Sequence, residues 1–119
     1  MATSAEIREG LDDYVVRCNA NARLRKMLRA WSRTCVFTAL DDPAIAFTIR
    51  IEAGEITSVA QGAAPSDLTI SATSEDLADM FWGDLNPAQK YVSGEIKVVG
   101  SAEDVMRVDA MAALIWIDA

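Results

Sequence analysis

The chain contains no histidine. That removes Ser–His and Cys–His activation of a nucleophile, His-ligated zinc or iron, and the commonest general base at neutral pH. Two cysteines, Cys18 and Cys35, stand far apart with no Cys-x-x-Cys pattern. They cannot build a structural zinc site, and a reducing compartment would keep them free. Excess positive charge is absent too: the net charge is −7, which argues against general nucleic-acid binding. No run approaches the roughly 20 apolar residues of a membrane span; the longest is Met111–Ile117. The first ten residues, MATSAEIREG, lack the basic start and apolar stretch of a signal peptide. A soluble cytoplasmic protein is expected. Glycine and proline are few. With neither linker, repeat nor low-complexity stretch, 1–119 reads as a single domain.

What is present is apolar material: 51% of 119 residues are hydrophobic. A chain of this size removes roughly two-thirds of its unfolded surface from water, enough for a core without staples. The charge is unevenly placed. Arg17 to Arg33 holds six bases and no acid. Such a run serves either as a solvated face balancing an acidic body or, through Arg23, Arg25, Lys26 and Arg29, as a transient contact with anionic membranes.

Thr3-Ser-Ala-Glu6 is a capping-box pattern, and Ile7, Leu11, Tyr14, Val15 and Cys18 follow at helical spacing. The pattern resumes with shifted phase at Leu24, Met27, Leu28 and Trp31. The spacing predicts a long N-terminal helix bent or broken near Asn19. Thr34–Leu40 is β-branched and aromatic, hence a strand. Ile45, Phe47, Ile49 and Ile51 alternate with Ala46, Thr48, Arg50 and Glu52, which predicts a half-buried antiparallel strand. Ala53-Gly54 turns it into a partner running to Gln61. Leu68, Ile70 and Ala72 mark a fourth strand. Ser74 reads as the N-cap of a helix that ends near Gly83. Asn86-Pro87 opens a short helix, 95–99 is a fifth strand, and Ser101-x-x-Asp104 caps a last helix reaching Ile117. Strands, then helices, then a late strand make an α+β layout, most economically one mixed sheet with helices on one face.

Some residues admit two readings. The inward strand residues Phe47, Ile49, Ile51, Leu68, Ile70, Ile96 and Val98 are either plain core or the lining of a ligand space. Met80-Phe81-Trp82 exceeds one helical face, so one of the three points away from the core or into a cavity. The last helix has a stripe of Val105, Val108, Ala112 and Ile115, but Met106, Met111 and Trp116 add apolar surface beyond it. It is either buried on several sides or exposes a patch for a lipid, a partner or a second copy. Tyr14, Tyr91 and the lysines are the remaining non-carboxylate acid–base groups. No spacing places a pair of them to act on a substrate. Asp41-Asp42 reads as turn chemistry rather than a metal site.

The ordered set Asp67-Leu68-Thr69-Ile70, Glu75-Asp76, Gly83-Asp84-Leu85-Asn86-Pro87 and Ser93-Gly94-Glu95-Ile96-Lys97-Val98-Val99-Gly100 resembles the sterol carrier protein 2 sterol-binding domain family over 31–117. The resemblance implies a five-stranded sheet covered by helices on one side, with an apolar tunnel between them. It implies a non-catalytic carrier of an apolar ligand: a sterol, fatty acid, acyl-CoA or another lipid such as a quinone. No cofactor is implied. The tunnel lining expected on this basis is Phe47, Ile49, Leu68, Ile70, Met80, Phe81, Trp82, Tyr91, Ile96, Val98, Val105, Met106, Ile115 and Trp116. An alternative is an accessory module that dimerises or presents a hydrophobic substrate to a partner enzyme. Two departures stand out. Gly94-Glu95 replaces the family's Gly-Lys and reverses one charge, and the C-terminal Trp116-Ile117-Asp118-Ala119 is not a peroxisomal tripeptide.

Overall fold

Helix α1 (Ser4–Ala20) starts where the sequence places its cap: Thr3 Oγ1 accepts a hydrogen bond from the Glu6 amide at 3.2 Å. The computed structural model describes residues 1–117. The helix ends at Asn21, not at Asn19. Asn21 closes α1 and also caps α2 (Ala22–Met27), its side chain accepting from the Leu24 amide at 3.0 Å. Asn19 has a different task. Its amide donates to the Ile56 carbonyl at 3.0 Å and accepts from the Ile56 amide at 2.9 Å. One side chain thus satisfies a strand that has no neighbour on that side.

Strands β1 (Arg33–Ala39), β2 (Ala46–Glu52), β3 (Glu55–Gln61), β4 (Leu68–Ala72) and β5 (Lys97–Val99) form one sheet in the order β3-β2-β1-β4-β5. β1 and β4 are parallel and the other neighbours antiparallel, so the sheet is mixed. The register aligns Cys35 with Ile49 and Leu68, and Phe37 with Phe47 and Ile70. These side chains share one face and join Ile7, Leu11, Leu77, Phe81 and Met111 of the helices in a single core. The other face carries short polar groups such as Thr38 and Ser71, whose hydroxyls lie 2.8 Å apart. The architecture is α+β, five strands covered on one face.

The β2–β3 turn has two residues at positive φ, Ala53 at 50° and Gly54 at 79°. That is the geometry that matches the right-handed twist of a hairpin. A Cβ on Gly54 would stand 2.8 Å from the Leu28 carbonyl carbon, so the turn can rest on the end of α2 only as glycine.

Helices α3 (Ser74–Trp82), α4 (Pro87–Val92) and α5 (Ala102–Ile117) complete the chain. Two expectations are corrected here. The cap of α3 is Thr73, whose side chain accepts from the Asp76 amide. Ser74 is instead fully buried, its amide and hydroxyl both held by the Asp41 carboxylate at 2.8 Å. Those bonds, the backbone one foremost, lower the Asp41 pKa. β5 is shorter than 95–99, because the Glu95 and Ile96 amides both turn back to the Lys90 carbonyl at the end of α4. They are therefore unavailable to β4.

Candidate functional site

The β4–β5 end of the sheet is only partly roofed by helices. Between it and α4 and α5 lies a cleft of about 590 Å³, part of that volume open to solvent. Phe37, Ile70, Ile96 and Val98 form its floor, and Tyr14 of α1 and Met80 of α3 its inner wall. Pro87, Ala88 and Tyr91 of α4 stand on one side. Val105, Val108, Met111 and Ala112 of α5 stand on the other. A smaller cavity adjoins it, sharing Tyr14, Met80, Pro87 and Ala112 and extending to Arg17, Leu85, Ile115 and Trp116. An apolar space with few polar groups suits a hydrophobic ligand.

Of the residues singled out in the sequence, Ile70, Met80, Tyr91, Ile96, Val98 and Val105 line the cleft, and Ile115 and Trp116 the adjoining cavity. Phe47, Ile49 and Leu68 lie elsewhere, fully buried in the core. Phe81 stands behind the lining: its ring meets Phe37 edge-on at 5.0 Å and Tyr14 at 5.5 Å. Trp82 is 45% exposed and packs over Gly10, where a Cβ would come within 2.9 Å of its indole nitrogen. Met106 is 71% exposed on the outer side of α5. Arg23, Arg25, Lys26 and Arg29 are exposed on or just beyond α2, with Arg25 3.8 Å from Glu55.

Tyr14, Phe37, Pro87, Ala88, Val108, Asp109, Met111, Ala112 and Ala113 also line the cleft, beyond the residues that the family resemblance implies. The helical stripe Val105–Val108–Ala112 carried part of the signal. Asp109 beside it had none, because one carboxylate on a helix looks like solvated surface.

The site's charges are largely spoken for. Lys90 lies 3.2 Å from Glu95 and 3.8 Å from Asp76. Its bond to Glu95 and the field of Asp76 raise its pKa, while Ser93 and Lys90 lower that of Glu95. Glu95 is thus held inside a local network. Arg17 is bound to Asp13 at 2.9 Å and to the Phe81 carbonyl. Tyr14 is pushed well above its ordinary pKa, by burial first and by Cys18 second. Asp79 on α3 is raised by burial and by Asp84. Among the described residues no cluster of three or more acids and cysteines is placed to hold a metal. No helix among them is long and apolar enough to cross a membrane.

A mixed five-stranded sheet covered by helices on one face, with an apolar cleft between the layers, defines the fold class of the chain. The model of the SCP-2 sterol transfer family matches residues 15–113, and the chain belongs to that family. A search of curated proteins found no match. Among solved structures the chain is similar to a crystal structure of sterol carrier protein 2, at 15% identity and TM-score 0.67, covering 91% of this chain and 94% of that one. It is similar to sterol carrier protein domain 2 of Helicoverpa armigera, at 21% identity and TM-score 0.60, covering 92% and 86%. It is also similar to the UbiJ-SCP2 ubiquinone synthesis protein, at 14% identity and TM-score 0.64, covering 92% and 94%.

Proposed function

We propose that this protein is a non-catalytic carrier that holds an apolar, sterol- or chain-like ligand between its sheet and helices α4 and α5. The observation that carries the reading is the cleft itself, lined almost wholly by apolar side chains. Burial of ligand surface there supplies the affinity, about 0.8 kcal/mol per methylene removed from water. Exposed Arg23, Arg25, Lys26 and Arg29 support transient contact with anionic membranes during loading or delivery. The test is binding by delipidated protein, followed by native mass spectrometry and fluorescence, against sterols, fatty acids, acyl-CoA and isoprenoid quinones. Binding of at least one class at micromolar affinity is expected. Failure of all four overturns the reading.

A second reading rests on the outer side of α5, where Met106 and Ile117 are exposed. That surface would suit an accessory module that dimerises or presents a hydrophobic substrate to an enzyme. Light scattering separates the two: a clean monomer that binds lipid supports the carrier.

A further inference from the structure

The cleft has an apolar interior but a charge of one sign at its edge. Asp109 of α5 lines it, is exposed, and has no ion-pair partner among the described residues. The nearby cation on α4, Lys90, is already shared between Asp76 and Glu95. Arg17, in the adjoining cavity, is bound to Asp13 and to a backbone carbonyl. The other polar groups of the cleft's side chains are the Tyr14 and Tyr91 hydroxyls, and Tyr14 is engaged with Cys18. A carboxylate or phosphate brought into a low-dielectric space needs a cation or several donors to replace its water. Here it would meet a carboxylate instead, and repulsion across a partly apolar path is stronger than in water. A hydroxyl avoids that repulsion and can donate a hydrogen bond to Asp109.

Given that the cleft is a lipid site, we infer that it selects ligands whose polar end is an uncharged hydroxyl over those ending in a carboxylate or phosphate, and that Asp109 is the selecting residue.

The test uses two fluorescent probes of one chain length, cis-parinaric acid and the corresponding alcohol, titrated at pH 8 into the delipidated full chain. The alcohol leaves water more readily in any case. The deciding quantity is therefore the ratio of the two dissociation constants in wild type, Asp109→Asn and Asp109→Lys. Circular dichroism checks that each variant is folded. Wild type is expected to favour the alcohol. Asp109→Asn should shrink that preference about fivefold, and Asp109→Lys should shrink it further, through tighter binding of the acid. An unchanged ratio across the three proteins, or a wild type that prefers the acid, overturns the selectivity while leaving the carrier reading intact. If neither probe binds any of the proteins, the selectivity falls as well, and the carrier reading then stands or falls with the sterols, acyl-CoA and isoprenoid quinones.

Discussion

The Trp31 indole nitrogen donates to Asp104 Oδ1 at 2.9 Å, joining the approach to β1 to the first turn of α5. Arg33 Nε adds bonds of 3.1 and 3.0 Å to the two oxygens of the same carboxylate. The helix that forms one side of the cleft is therefore pinned to the sheet by one acid. Burial pushes the Asp104 carboxyl up, but the bonds from Trp31 and Arg33 outweigh it, and the pKa is lowered. Asp104→Ala leaves a buried indole N–H without an acceptor and should cost about 2 kcal/mol in urea unfolding. Because the folded-state pKa is lowered, this contribution is fully present above the unfolded value of about 3.9 and is lost as pH falls through the folded value. The stability difference between wild type and Asp104→Ala should narrow on acidification below about pH 4.

The Ala53-Gly54 turn predicts opposite signs at neighbouring positions. Gly54→Ala adds a Cβ at positive φ and sets it 2.8 Å from backbone of α2, so it should destabilise by about 2 kcal/mol or more. Ala53 also sits at positive φ, where asparagine is better accommodated. Ala53→Asn should stabilise by about 0.5 kcal/mol. Thermal melts of the two variants moving in opposite directions would bear this out; equal shifts would not.

Cys18 and Cys35 are both buried, and burial raises each thiol to about 12. At pH 8 the thiolate fraction is then about one in ten thousand. Ellman's reagent should react with native protein only as fast as the protein opens, and with two thiols per chain at once in guanidinium. Rapid labelling of the native chain would show that one thiol is reachable from the cleft.

Local periodicity made much of the fold legible. The alternation of Phe47, Ile49 and Ile51 marked β2, and the spacing of Val105, Val108 and Ala112 marked the inward stripe of α5. Separating cleft from core was out of reach. Leu68 and Ile70 stand two residues apart on one strand with the same pattern, yet one is packed core and the other lines the cleft. The difference comes from where α4 and α5 leave the sheet uncovered, a non-local property. Asp104 was legible as part of a cap, and its hydroxyl partner Ser101 does accept from its amide at 3.2 Å. Its reach to Trp31, 73 positions away, was not. Asn19 looked like a helix breaker because asparagine lowers helix propensity; its partner Ile56 is a tertiary contact that propensity does not contain.

Ala112 lines both the cleft and the adjoining cavity, so it is the place to ask whether the two hold one ligand. A tryptophan there adds bulk where the spaces join, on a half-buried helical position whose polar bonds are all backbone. Overpacking costs about 1–3 kcal/mol in a closed core, but the side chain here has open volume to enter. Ala112→Trp should therefore stay folded by circular dichroism and lose at least about tenfold in affinity for a long-chain probe such as the parinaric alcohol, as the blocked length no longer leaves water. A shorter probe, reaching only the outer cleft, should lose less. Equal losses for long and short probes would mean that the ligand occupies the cleft alone, and unchanged binding of both would place the lipid site elsewhere.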